Sequence, residues 1–276
     1  MENLEQCINI IKEAAEKNVD VIVFPEKAIT IHDSVEIPIS GTLTEFPVPA
    51  DNEDLYNKVL VDLSTAAKTY EMYVVVNLRE RVNCTTPNEN RKCPGKQVYL
   101  FNTNVVFDRK GAVIMRASKY HLFFEPEFTE EIYPNVSKFS TDFNVTFGAV
   151  ISFDLLFTIP TGELVTQMQL KNIIMTSNWC PEPPFLGSIQ TQNAFQFGYN
   201  VNFLVAGRND WANGNSGSGI YSGKAGALVS IIKNITNYRL LVAEVPKTPG
   251  KVGSNTNLYY YNTDTINFFS YTDSAQ

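Results

Sequence analysis

A layered α/β architecture is the fold class that this sequence predicts, and two patterns carry the prediction. From Met1 to Leu78, helix, strand, helix and strand patterns follow in turn, and each helix pattern is apolar on one side only. The strand patterns are near-continuous runs of β-branched and aromatic residues, as expected of sheets buried on both faces. Composition agrees, with 44% hydrophobic residues, only 18% charged, and 18 Phe with 13 Tyr as bulky core material. Charged residues make up about a quarter of an average globular chain. A large buried interior is favoured over a charged surface.

Each element follows from its local pattern. Leu4, Ile8, Ile11 and Ala15 fall at helical spacing, which predicts an amphipathic helix over residues 2–17. Residues 19–24 form a buried strand closed by Pro25-Glu26. Leu55, Val59, Leu63, Ala66 and Ala67 mark a second helix over 54–70, followed by a strand over 73–78. Two extended runs, 98–108 and 112–120, are joined by the hairpin turn Asp108-Arg109-Lys110-Gly111, with Lys119 at the far end of the second. The run from Phe147 to Ile151 leads into Ser152, and 172–176 leads into Ser177-Asn178-Trp179-Cys180. Residues 187–199 read as a helix with Ile189, Ala194 and Phe197 buried, and 201–206 as a buried strand. Gly217 to Tyr221 read as a turn into a strand over 226–232, and 239–245 as the strand that closes the sheet. Composition shifts to Thr, Pro, Gly, Asn and Tyr after Pro246. One domain is therefore expected over 1–247, with a linker and the start of a truncated C-terminal domain over 248–276.

Several function classes are excluded. The net charge of −7 and the lack of a Lys/Arg cluster argue against a nucleic-acid partner. No apolar run approaches the ~20 residues of a membrane span, so membrane association is expected only through an anchor outside this chain. No signal peptide is read at Met1, because a helix pattern starts at Glu2. Four sequons nevertheless point outside the cell: Asn83-Cys84-Thr85, Asn135-Val136-Ser137, Asn144-Val145-Thr146 and Asn234-Ile235-Thr236. Cys84 and Cys93 bracket a Pro/Asn-rich loop, which suits a local disulfide, although two reduced thiols fit it too. Cys7 lies on the apolar helix face and reads as core; Cys180 is either free or paired with something outside the chain.

Three polar residues end apolar strands: Glu26, Lys119 and Ser152. Strand ends are where a sheet aims side chains into a cleft. Cleavage of an amide needs a nucleophile, a base for its proton and a cationic or hydrogen-bonding group for the oxyanion. Taken singly, each has a plainer reading: a solvated carboxylate, a snorkelling lysine, a hydroxyl bonded to backbone. Their weight comes from context.

The segments Val21-Ile-Val-Phe-Pro-Glu26, Asn102-Thr-Asn-Val-Val-Phe-Asp-Arg-Lys-Gly111 and Ser118-Lys-Tyr-His-Leu-Phe-Phe-Glu-Pro-Glu-Phe128 supply it. So do Phe147 to Phe157, Val201 to Ala206 and Gly217 to Ser222. Together, from about residue 5 to 245, they resemble the biotinidase and vanin (pantetheinase) branch of the carbon–nitrogen hydrolase, or nitrilase, superfamily. The resemblance implies a nitrilase-like α-β-β-α sandwich whose first strand lies upstream of Leu4. It also implies a secreted or membrane-anchored amidase acting on small vitamin-type amides, without a cofactor or metal. By position Glu26 is the general base, Lys119 the oxyanion-stabilising lysine and Asp154 the acid that follows the nucleophile. Glu125 resembles an auxiliary acid, with Glu127 competing for that match. Residue 152 departs from the pattern, because the family places cysteine there. Trp179, Tyr221 and Trp211 are candidate pocket aromatics.

Serine changes the chemistry. A thiol with a pKa near 8.5 ionises readily beside a cation; a hydroxyl is far less acidic, and serine hydrolases activate it with an imidazole. Only His32 and His121 exist here; His121 lies two residues along from Lys119, which puts a Ser152–His121 pair within reach if that strand continues. The flanks Ile151 and Phe153 lack the glycines of a nucleophile elbow, and two isolated histidines make no zinc site. Two readings stand. The chain is a family member silenced by Ser152 that binds an amide or a protein partner, or it is an amidase with weak serine chemistry or with serine substituted for its cysteine.

Overall fold

The computed structural model describes residues 2–29, 33–37, 42–84, 97–182, 185–232, 238–252 and 259–260. Five α-helices are present among them: α1 (Glu2–Ala15), α2 (Thr42–Glu45), α3 (Lys58–Thr69), α4 (Glu163–Thr166) and α5 (Ser188–Tyr199). The first strands are β1 (Val21–Val23), β2 (Tyr73–Asn83), β3 (Val98–Phe107) and β4 (Val113–Ser118). They form one sheet in the order β1-β2-β3-β4. The others are β5 (Ser137–Ser140), β6 (Thr146–Ile151), β7 (Asn172–Ser177), β8 (Asn202–Gly207), β9 (Ser218–Ser222), β10 (Ala227–Ile231) and β11 (Tyr259–Tyr260). These form the second sheet, ordered β11-β10-β9-β8-β7-β6-β5.

Strand alternation sorts the apolar residues into three layers. On the outer face of the first sheet, Val74, Val76, Leu78, Val105 and Phe107 pack against Ile11 of α1 and Leu60, Leu63 and Ala67 of α3. Their neighbours Tyr73, Val75 and Val106 point the other way and meet Phe147, Ala149 and Ile174 of the second sheet. Ile173, Met175 and Phe203 face outward again, towards Phe195 of α5. Helix, sheet, sheet and helix are stacked in that order. The α-β-β-α sandwich is the observed fold.

Moving along the inter-sheet face, the same register turns polar. Asn77 continues the inward series of Tyr73 and Val75, and Asn102 and Asn104 continue that of Val106. Lys119 lies two residues beyond inward-facing Ala117. This polar end of an otherwise apolar interface is where the strand ends converge.

Several elements differ from the sequence reading. β1 has only three residues, because Pro25 ends it, whereas β2 runs on to Asn83. α5 buries Ser188, Gln192, Phe195 and Gln196; Ala194 and Phe197 are exposed and Ile189 half-buried. The glutamine is buried because it is satisfied: Gln192 donates to the Gly217 carbonyl (3.1 Å) and accepts from Tyr221 Oη (2.8 Å). The expected turn at 217–221 is largely strand β9, paired with both β8 and β10. Residues 239–245 form no strand, and β11 pairs with β10 instead. That run is strand-like in composition, yet none of its residues is buried. Along the outer edge of β1 runs a groove of about 520 Å³ walled by Cys7, Ile10, Val21, Leu204 and Ile220.

Cys7 is buried in the first core, where burial pushes its thiol up to about 12. Cys7 and Cys180 are free, and Cys84 is disulfide-bonded; its expected partner Cys93 lies outside the described residues, as do Asn234 and His32. Among the described residues no helix is long and apolar enough to cross a membrane.

Candidate active site

Glu26, Lys119 and Ser152 meet at the polar end of the sandwich. They are 1%, 3% and 4% exposed. Glu26 follows β1, Lys119 follows β4 and Ser152 follows β6, so the first sheet supplies carboxylate and ammonium and the second supplies the hydroxyl. Ser152 turns the chain from β6 into a 3-10 turn with φ of +39°, a left-handed conformation that costs a non-glycine residue of order 1–3 kcal/mol. That turn aims its hydroxyl at the first sheet.

The contacts are direct. Ser152 Oγ donates to Glu26 Oε2 in a short bond. The same carboxylate oxygen accepts from the Asn178 backbone N–H at 2.9 Å, and that N–H also lies 2.8 Å from Ser152 Oγ. Glu26 Oε1 accepts from Lys119 Nζ (2.9 Å) and Asn102 Nδ2 (2.6 Å). Lys119 Nζ lies 2.5 Å from Glu125 Oε2. Lys27 closes the group, 2.5 Å from Glu125 Oε1. Two lysines and two glutamates thus form a charge-balanced cluster.

Burial works against the Lys119 charge, but Glu26 and Glu125 outweigh it by attraction and hydrogen bonding, so its pKa is raised and the ammonium is held. Glu125 shows the reverse: burial pushes its carboxyl up, and Lys119 and Lys27 more than offset that, leaving it below the usual range. Its rival Glu127 is 42% exposed and, among the described residues, pairs only with Lys27, at 3.5 Å. Asp154 lies outside the cluster. Its carboxylate accepts the backbone N–H groups of His121 (2.8 Å) and Tyr120 (3.3 Å), which ties the segment after Lys119 to the turn after Ser152. Burial raises Asp154 from 3.8 to about 7, against the pull of those N–H groups and of Lys119.

His121 does not meet Ser152. Its ring nitrogen lies 2.8 Å from the Ile159 carbonyl, and the ring stacks on Phe157 at 3.6 Å. Above the cluster opens a cavity of about 200 Å³, walled by Phe123, Phe153, Trp179, Leu186, Cys180 and Asn215 among others. Trp179 is fixed by an Nε1 bond to the Leu186 carbonyl (2.8 Å). Phe124, 90% exposed, stands at its mouth. Tyr221 is placed elsewhere, fully buried beneath α5 with its hydroxyl on Gln192, because its strand turns it away from the cavity. The Trp211 side chain is outside the described residues. Among the described residues no group of three or more metal-ligating side chains assembles.

Sequence reasoning missed Asn102 and Asn178. Asn102 carried a signal: a polar residue in the core register of an apolar strand. Asn178 contributes its main chain, for which residue type gives no cue.

The sequence profile of the carbon-nitrogen hydrolase family matches residues 1–193. The chain belongs to that family. It is 36% identical over 269 residues to vanin-like protein 2 of Drosophila melanogaster, covering 91% of this chain and 50% of that one. It is 33% identical to biotinidase of Takifugu rubripes (89% of this chain, 51% of that one). It is 30% identical to pantetheinase of Mus musculus (90% and 50%). The chain thus spans about half the length of the curated relatives it matches. Among solved structures, Saccharomyces cerevisiae Nit3 superposes with a TM-score of 0.61 at 16% identity, covering 82% of this chain and 78% of that one. A cysteine-to-serine mutant of the Nesterenkonia AN1 amidase gives 0.57 at 14% (84% and 81%). At such identities the likeness is one of fold.

Proposed function

We propose that this domain holds a vanin- and biotinidase-like site for small linear amides, with Glu26 as base, Lys119 as oxyanion cation and residue 152 as nucleophile. Hydrolysis is impaired because that nucleophile is serine. The carrying observation is the Ser152–Glu26 bond, together with the position of His121 against Ile159 and Phe157. The hydroxyl therefore has a carboxylate for its base. A carboxylate is a poor acceptor for a proton of such low acidity, whereas a thiol in the same place would ionise beside Lys119. The bound carbonyl oxygen would sit towards Lys119 Nζ, two of whose three donors already serve Glu26 and Glu125. Phe123, Phe153 and Trp179 would hold the apolar part of the ligand.

A second reading shares this geometry: a silent family member that retains the cavity for binding. The reading extends to an extracellular protein carrying N-linked glycans at Asn83, Asn135, Asn144 and Asn234, attached to a membrane only through a segment outside this chain.

The test is turnover of pantetheine and of biotin amides by wild type beside Ser152→Cys. The variant should gain on the order of a hundredfold or more, the scale of a working proton transfer. Wild-type turnover that the variant does not exceed refutes impairment. No turnover by either, with amide binding retained, favours the silent reading.

A further inference from the structure

We infer that Asn102 is a positioning residue that confines the proton leaving residue 152 to the Oε2 face of Glu26, and that Asn77 sets its direction. The inference rests on the reading of Glu26 as base.

The orientation of every amide here can be traced to a group that can only donate. The Lys27 backbone N–H donates to Asn77 Oδ1 (2.9 Å), so Asn77 Nδ2 faces β3. That Nδ2 donates to Asn102 Oδ1 (2.8 Å) and Asn104 Oδ1 (3.0 Å). Asn102 Nδ2 must then face the carboxylates, and it donates to Glu26 Oε1 (2.6 Å) and Glu125 Oε1 (3.1 Å). Asn104 Nδ2 points across the sandwich to the Val150 carbonyl (3.3 Å), and Thr176 Oγ1 donates to Asn104 Oδ1 (2.7 Å). Val150 lies two residues before Ser152. One column of three buried asparagines therefore joins the sheet that carries base and cation to the sheet that carries the nucleophile.

The consequence for proton transfer is specific. Glu26 Oε1 faces two donors, Asn102 Nδ2 and Lys119 Nζ, and a proton placed there would oppose both. Oε2 accepts one such donor, the Asn178 backbone N–H, and its remaining lone pair faces the hydroxyl of Ser152. As the bond from oxygen to hydrogen breaks at residue 152, the proton forms its new bond to Oε2, and the electron pair stays on residue 152. The Asn102 backbone carbonyl also accepts the Lys119 N–H (2.7 Å), so one residue fixes base, auxiliary acid and cation together.

The experiment places Ser152→Cys behind every variant and follows alkylation of that thiol by iodoacetamide against pH, resolved by peptide mass spectrometry. Exposed Cys180 is the internal reference in each sample. The charged groups near Glu26 are Lys119, Lys27, Glu125 and Asp154, with Glu182 on the cavity wall, and all are kept. Asn102→Ala strips a donor from the charged form of the base, which moves the acid limb about one pH unit upward, and alkylation below it slows about tenfold. Above the limb the rate stays within about twofold. Asn77→Ala, which keeps the donor but frees its direction, shifts the limb the same way by less and decides the matter alone if Asn102→Ala does not fold. A merely structural role lowers the melting temperature and leaves the limb in place, which overturns the inference. Glu26→Gln separates the two ideas: it should abolish the limb. If it does not, the reading of Glu26 as base has failed; if it does and the asparagine variants shift nothing, only the inference on Asn102 has failed.

Discussion

Replacing Asp154 by asparagine should flatten the pH dependence of stability between about pH 4.5 and 6.5. Asp154 is a buried carboxyl that holds its pair of backbone N–H groups outside the Lys–Glu cluster. Burial is the dominant influence and raises it from 3.8 to about 7. The sign follows directly. Between these values the folded state keeps a proton that the unfolded chain has released, so the contribution is complete below about pH 4 and is lost as pH rises through about 7. Three pH units correspond to about 4 kcal/mol across the window, and one proton to a slope of about 1.4 kcal/mol per unit. Urea unfolding at half-unit steps, with the disulfide intact, measures that slope for wild type and Asp154→Asn. Buried Glu80, which is also raised, contributes equally to both proteins and cancels in the difference. Equal slopes would refute the argument, because they would mean that Asp154 ionises at the same pH folded and unfolded.

Two further expectations concern other parts of the domain. Glu80 is fully buried on the helix-facing side of the first sheet, held by Arg116 at 2.7 Å and by Thr103 Oγ1 at 2.8 Å. Arg116→Met leaves that carboxylate without its cation and should cost about 3–5 kcal/mol by denaturant unfolding; a loss under about 1 kcal/mol would show that the pair is solvated. Secretion from eukaryotic cells should add N-glycosidase-sensitive mass, first at Asn83 and Asn144, whose side chains are exposed. An unchanged mass after enzyme treatment would contradict the extracellular reading.

The parts legible in the sequence were those encoded by neighbours along the chain. Glu26, Lys119 and Ser152 each end an apolar run, and strand geometry delivers them to one edge. The two helices over the first sheet were readable because Ile11, Leu60 and Leu63 repeat at helical spacing. The rest depended on partners far away. Glu125 and Glu127 share a loop without periodicity, and only Lys119 and Lys27 sort one inward. The buried face of α5 contains Gln192, which local hydropathy rejects and Tyr221 satisfies. Residues 239–245 have strand composition, but pairing needs a neighbour, and β11 holds the place beside β10.

The cluster itself bears on why a serine can persist at this position. Lys27, Lys119, Glu26 and Glu125 balance charge for charge, and Asn102 supplies the carboxylates with further donors. Such a group is stable while nothing ionises, since each buried charge has its counterpart. Moving a proton from residue 152 to Glu26 keeps the net charge but shifts the anion from a carboxylate that Lys119 was holding to residue 152. A thiolate is a weak enough base for Lys119 to hold as the new counter-ion; an alkoxide returns the proton to itself. On the proposed reading, Ser152 turns a proton-transfer relay into a resting hydrogen bond, with the strained turn, the cation and the cavity in place around an oxygen that keeps its hydrogen.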